Sequence, residues 1–505
     1  MCMLQMESRG FKGHVFNLKS FCPFDSRPEI HFSYYLNKKP GKPKCSYCKS
    51  AVAATAIALG AMITEGLAAS VITVTPDSEM PPPTLFDFDN DGVAGDLYRS
   101  VTNGTNSRIA VYVMHAESDY MTFSACREFP RRGFTVFCGN NAADKIGVMS
   151  SIYFEDELTQ ADIGMQYLRN LTDIDKVVLF GHSGGGALMA AFQNVAENGI
   201  SACQGPEKLY NCTSAVAGLH PADGVMLLDA NFGLGTMPFL SLNPALEGLH
   251  GMTINESLNL FNPANGFIKG NSSRYTSKFK KAYLHGVVAR NDFIIKYAQE
   301  RLAALNANET GLIDDEPLYI TDSAYGVMNN KFFSQDTRFL AHTSKAWPLL
   351  HKDGSITTQV VPSVRVPVNF ESYANQYIQG ALKTTVRRYL STFAIRATSD
   401  FDITPTGLHG IDHASSQFSP TESIKGAHAP LLNMGMTGHW EYLNQEKIHL
   451  NAPGNDTSIV FVEGAEHKIG TCKPCESYPG QYEDTMKTAY NYIEEWLTKP
   501  GRFFN

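Results

Sequence analysis

Apolar and polar positions along this chain follow two rhythms that alternate. Short unbroken apolar runs at 108–114, 134–138, 177–180 and 224–228 have the length and the β-branched or aromatic content of buried strands. Between them lie segments with helical spacing. Leu158, Ile163 and Leu168 fall near one face of 156–168, and the small-residue run from Ala187 to Phe192 continues toward Asn198-Gly199. Strand, helix, strand at this interval predicts a parallel sheet with crossover helices. The alternation lapses after 228 and returns with apolar runs at 430–434 and 458–462. In between, 277–305 and 373–397 read as helical and 358–368 is rich in valine. So long a stretch needs packing of its own, which predicts a cap inserted into the sheet domain. Met486, Ala489, Tyr490, Ile493, Trp496 and Leu497 repeat at helical spacing, and Pro500-Gly501 stops that last helix. The expected fold class is α/β: a mostly parallel central sheet with flanking helices. The division is a leader over 1–69, a core over 70–234 and 426–505, and a large, partly helical cap or lid over 235–425.

Composition narrows the class. With 43% hydrophobic and 18% charged residues in 505, a large core is within reach. The formal charge of −8 is mild and the one dense basic stretch is 38–44, which argues against a nucleic-acid partner. Lys49, the apolar run 51–63 and the small residues at 66–69 make the pattern of a secretory signal peptide. Thr64-Glu65 interrupts it, and it is too short for a stable membrane span. Signal peptides open a chain, whereas residues 1–48 precede this one. The reading taken is that translation starts near Cys48 and the product is secreted; the alternative is a buried apolar helix in a cytoplasmic protein.

Past that segment stand Cys126, Cys138, Cys203, Cys212, Cys472 and Cys475. Secretion would oxidise them, and the local pairings 126–138, 203–212 and 472–475 are the simplest. Sequons at Asn103, Asn170, Asn211, Asn255, Asn271, Asn308 and Asn455 agree with a glycosylated, secreted product. The acidic run from Asp87 to Gly92 opens like a calcium loop, but Tyr98 stands at its twelfth position, so a turn is expected.

The candidate chemistry sits at Gly181-His182-Ser183-Gly184-Gly185, where an apolar strand gives way to a helix. A turn that sharp lifts the serine hydroxyl clear of the sheet and needs glycine two positions to either side. A serine needs a base to take its proton. His467 follows the late strand 458–462 and precedes the final helix, which places it beyond the carboxyl ends of the strands. With that elbow, the order serine before histidine, and Gly464-Ala465-Glu466-His467 before the last helix, the chain resembles the α/β-hydrolase fold family of esterase- and lipase-like serine hydrolases. The resemblance covers about 108–138, 156–233 and 430–497.

The resemblance implies Ser183 as nucleophile, His467 as general base and then acid, and an oxyanion hole of backbone amides. Those amides would be Gly184 and the loop residues Ala116 and Glu117. The family's usual acid position is filled by glycine, in Gly435-Met436-Thr437-Gly438. Asp229, ending the strand 225–228, is the favoured substitute, and Glu441 is the alternative. Cys472-Lys473-Pro474-Cys475 reads as a disulfide bracing the histidine loop rather than a redox pair. His409, His413, His428 and His439 lack metal-ligand spacing, so no metal is assigned, and no cofactor motif is present. The expectation is a secreted hydrolase acting on a small-molecule carboxylic ester. A non-catalytic binding member of the fold, or an acyltransferase or peptidase using the same residues, is the alternative. The cap aromatics Phe261, Phe267, Tyr275, Phe332, Phe333 and Trp347 line a substrate pocket or, more commonly, form the cap's own core.

Overall fold

In the computed structural model of the chain, the described residues are 3–7, 17–21, 82–88, 92–102, 104–145, 151–249, 253–312, 314–321, 323, 331–368 and 381–504. The chain divides into two units, 1–77 and 78–505. In the first, strand Met3–Glu7 pairs antiparallel with Asn17–Phe21. Residues 49–69, read above as a signal peptide, and the sequon at Asn103 lie outside the described residues.

The second unit is built on a ten-stranded sheet. Its strands are β1 (Thr84–Phe88), β2 (Val93–Tyr98), β3 (Ile109–His115), β4 (Thr135–Asn140), β5 (Lys176–His182), β6 (Gly224–Leu228), β7 (His342–Leu350), β8 (Ile356–Pro362), β9 (Leu431–Met436) and β10 (Thr457–Val462). They lie in the order β8-β7-β10-β9-β6-β5-β3-β4-β2-β1. From β7 across to β4 all neighbours are parallel, and β8, β2 and β1 join antiparallel at the two edges.

The unbroken apolar runs follow from coverage on both faces. Along β3, Ala110, Tyr112 and Met114 enter one core while Ile109, Val111 and Val113 enter the other. Helices α2 (Phe154–Arg169) and α3 (Gly184–Asn198) supply the first core. The second is supplied by α1 (Ala125–Arg131) and α6 (Thr485–Leu497). All three expected disulfides are formed: Cys126–Cys138 ties α1 to β4, Cys203–Cys212 closes the turn after α3, and Cys472–Cys475 lies in the loop after β10. Phe88 pairs with Val93 across the acidic run at 87–92, whose residues 89–91 lie outside the described residues.

The insertion departs from expectation. Its long helix is present as α4 (Ser277–Asn306). However, 342–362 is not part of a separate cap: β7 pairs with β10 and carries the sheet onward to β8. Within 373–397, the described part is strand Leu382–Thr385, a short helical turn, and the start of strand Arg396–Thr404. The helical reading holds over Val386–Arg388 and Tyr389–Phe393, and residues 373–380 lie outside the described residues. It fails at 382–385, where Leu382 and Thr384 are buried and Lys383 and Thr385 half-buried, a period of two that a short window of mixed residues conceals. Among the described residues, no helix is long and apolar enough to cross a membrane.

Candidate active site

β3 sends the chain to β4 on one side and, after α2, to β5 on the other, so the strand order reverses there. The crevice beyond the carboxyl ends of such strands is where open α/β sheets hold ligands. Ser183 stands at that point, between β5 and α3, with φ 54° and ψ −123°. Such a conformation costs an ordinary residue roughly 1–3 kcal/mol and persists only where the surroundings enforce it. Here they do. The Ser183 amide donates to the Leu228 carbonyl (3.3 Å), and its own carbonyl accepts from the Asn231 amide (3.1 Å). A Cβ on Gly181 would come within 2.6 Å of the Gly185 carbonyl oxygen, and one on Gly185 within 2.5 Å of that of Met114. Both flanking glycines are therefore required by close backbone approach.

These features, strand order and serine elbow together, decide the architecture. The chain has the α/β-hydrolase fold. No protein-family model matches it, and no curated protein does. Solved structures similar to it include a siderophore hydrolase, EstB, from Aspergillus fumigatus, at 10% identity, with 84% of this chain and 98% of that one covered and a TM-score of 0.38. A monoacylglycerol lipase from Paleococcus ferrophilus shows 11% identity over 82% and 98%, with a TM-score of 0.34. A soluble variant of the Saccharomyces cerevisiae monoglyceride lipase shows 14% over 83% and 96%, with a TM-score of 0.32. Likeness this distant says nothing about what this chain acts on.

His467, on the loop after β10, points its Nδ1 at Asp229 Oδ2, 2.7 Å away. The aspartate is fully buried at the end of β6, and its other oxygen accepts the Met436 amide (3.0 Å). From behind, α5 (Tyr442–Asn451) holds this corner: Asn444 donates to the Asn231 carbonyl (2.6 Å) and Gln445 to that of Ala230 (3.1 Å). Burial alone would raise the Asp229 carboxyl. Hydrogen bonds from His439 and His467 outweigh it and hold the group well below the usual carboxylate range. Glu441 also comes near, with Oε2 3.5 Å from His467 Nδ1, yet burial and the Asp229 charge push its carboxyl well up. The surroundings thus favour the anion at Asp229 and the neutral form at Glu441. The empty family position also has a steric cause, since a Cβ on Gly438 would meet the Ala465 carbonyl oxygen at 2.7 Å.

Ser183, Asp229 and His467 thus lie at one end of the sheet, though among the described residues no hydrogen bond joins the Ser183 hydroxyl to His467. Catalytic hydrogen bonds are commonly long without substrate and tighten when it binds. What connects the two loops is His182. Its Nε2–H donates to the His467 carbonyl (2.6 Å), and its Nδ1 accepts from the Tyr120 hydroxyl (2.6 Å). Burial, with the nearby His467, pushes its pKa down to about 3, so the ring stays neutral and keeps both bonds. His439 likewise brings Nδ1 to Asp229 Oδ2 (2.9 Å), its ring 4.1 Å from that of His467. Sequence reading missed His182 and Tyr120 at this site, and weighed His439 only as a metal ligand. Only the first carried any signal, as the residue inside the elbow motif.

The oxyanion loop needs a correction. The Glu117 amide donates to His115 Nδ1 (3.1 Å), as does that of Ser118 (3.0 Å). Burial keeps His115 neutral and therefore an acceptor. The Glu117 amide is thus committed within its own loop, leaving Ala116 and Gly184 as the candidate donors. Asn141 fixes that loop by donating to the carbonyls of His115 and Ala116 (both 3.1 Å). Of the cap aromatics, Tyr275 and Phe332 stack at 5.1 Å and Phe261 meets Phe267 edge-on at 5.4 Å, so these form a core of their own. Phe333 differs. It packs on Trp440 (5.1 Å), the neighbour of His439.

Proposed function

We propose that this chain is a serine hydrolase that cleaves carboxylic esters through an acyl-enzyme on Ser183. The observation that carries the reading is the 2.7 Å contact between His467 Nδ1 and a buried, ionised Asp229. With Nδ1–H donated to the carboxylate, Nε2 is left as the lone pair that takes the Ser183 proton. Ser183 Oγ then attacks the ester carbonyl carbon, and the developing oxyanion is met by the Gly184 and Ala116 amides. His467 Nε2–H protonates the leaving alkoxide. Water, losing its proton to the same nitrogen, releases the acid and regenerates Ser183. The parts of 235–425 that lie outside the sheet act as the cap that sets substrate size.

A fluorophosphonate probe tests the nucleophile. Covalent labelling at Ser183, lost together with p-nitrophenyl ester hydrolysis in Ser183→Ala, is expected. Absence of labelling in correctly folded protein overturns the reading in favour of a non-catalytic binder. Hydrolysis of aminoacyl anilides in preference to esters makes it a peptidase.

The same reading places the protein outside the cytoplasm. Three disulfides and acceptor asparagines that are exposed at 170, 211, 255, 271, 308 and 455 support it. Expression with the full leader in a eukaryotic host should deliver the protein to the medium with a mobility that drops on deglycosylation. Retention inside the cell in an unglycosylated form would refute secretion.

A further inference from the structure

Four metal-capable side chains meet behind the proposed base, from residues far apart in sequence. Asp229 ends β6, His439 and Glu441 lie between β9 and α5, and His467 follows β10. One ligand atom from each lies within 4.8 Å of those of all the others. The separations are 2.9 Å and 2.7 Å from the aspartate oxygen to the two imidazoles, and 4.0 Å and 3.5 Å from the glutamate oxygen to the same pair. A tetrahedral zinc ion with N and O ligands at about 2.0–2.1 Å places its donors about 3.3 Å apart. These four separations straddle that value, and closing round an ion needs shifts of about 0.2–0.7 Å in them.

A second observation points the same way. Glu441 is 2% exposed, and among the described residues its Oε2 has no hydrogen-bond partner although it lies 3.5 Å and 4.0 Å from the two imidazoles. A buried oxygen left without a partner costs free energy unless something else occupies its lone pairs. Outer support is also in place, because Met436 fixes the second oxygen of Asp229 and α5 starts directly after Glu441.

We propose that this set is a binding site for one zinc-like divalent ion, and that loading it switches hydrolysis off. The inhibitory half rests on the serine-hydrolase reading; the binding half does not. Zinc bonds to the Nδ1 lone pairs, so each neutral imidazole must carry its proton on Nε2. His467 Nε2–H then has no lone pair for the Ser183 proton, and Asp229 Oδ2 bonds the ion instead of orienting the ring. Each ring loses its Nδ1 proton and takes one from solvent at Nε2, and the proton on Glu441 leaves to solvent. No heavy-atom bond changes, and removing the ion restores the hydrolytic tautomer.

Zn²⁺ titration of the full chain against a chromophoric chelator, with Ser183→Ala as the protein, reads binding free of any hydrolysis. One ion per chain is expected, weakened at least 100-fold by His439→Ala and again by Glu441→Gln. Co²⁺ in the unsubstituted chain should give the intense visible bands of a four-coordinate ion, a readout independent of whether a variant folds. No stoichiometric ion, or binding untouched by both substitutions, overturns the site. Ester hydrolysis by the wild type should fall at least tenfold on loading and return with a chelator; unchanged hydrolysis in the loaded protein overturns the switch. Zinc binding without fluorophosphonate labelling of Ser183 would retain the site and reject the hydrolase, while labelling without zinc binding would do the reverse.

Discussion

Asp229 and Glu441 show how one atom's surroundings separate two carboxyls a few ångströms apart. Both are buried. Asp229 collects two imidazole N–H donors and a backbone amide, whereas among the described residues Glu441 Oε2 collects none. If Asp229 orients His467, Asp229→Asn should lower kcat by about 10³–10⁴-fold, because the amide favours the wrong imidazole tautomer. Glu441→Gln should cost much less, as measured by steady-state hydrolysis of a p-nitrophenyl ester. His182 acts one step further out, as a positioning residue. Removing its ring in His182→Ala frees the His467 carbonyl and leaves the Tyr120 hydroxyl without its acceptor. Displacing a catalytic group by about 1 Å costs on the order of 10²-fold, so kcat should drop by about that factor while KM moves little. An equal change in KM would mean that the ring contacts substrate.

At the scale of elements, the elbow depends on how closely β5, α3 and β3 approach one another. Gly185→Ala drives a methyl against the Met114 backbone, which cannot yield as a flexible side chain could. A loss of about 1–3 kcal/mol or more in urea unfolding is expected, together with loss of Ser183 labelling. Restoring the family's usual acid with Gly438→Asp should fail for the same reason, since Ala465 and Cys472 fill that space. On the opposite face, α6 packs Ile493 and Trp496 into the second core. Ile493→Ala removes buried volume from a fully enclosed position and should cost about 2–5 kcal/mol, with the elbow geometry unaffected at temperatures where the fold persists.

For the whole molecule, stability should depend on pH through imidazoles that folding keeps neutral. Burial pushes His413 down to about 3, whereas the same ring titrates at 6.5 when free of the fold. Between those values the unfolded chain binds the additional proton, so stability is full above 6.5 and declines as pH falls toward 3. The urea midpoint should therefore be lower at pH 5 than at pH 7.5, and the difference should shrink in His413→Asn. An unchanged difference would assign the acid sensitivity elsewhere. Much of this architecture was legible in the chain itself. The parallel core, the elbow, the late histidine and the disulfide pairs all depend on local signals: apolar period, glycine at a strained turn, and cysteines close in sequence. β7 and β8 escaped notice because strands exposed over much of their length lack a continuous apolar run, and the place of β7 between β8 and β10 is set by sheet register far along the chain. Sequence favoured Asp229 over Glu441 as the partner of His467, but the burial that favours the neutral form of Glu441 and the arrival of His439 beside the aspartate were beyond it. Each depends on burial and on distances between loops more than 200 residues apart. The sequence by itself determined which groups could do chemistry, because side-chain type and local backbone are written residue by residue. Tertiary structure alone decided which of them share a proton, because that is a matter of ångströms and dielectric.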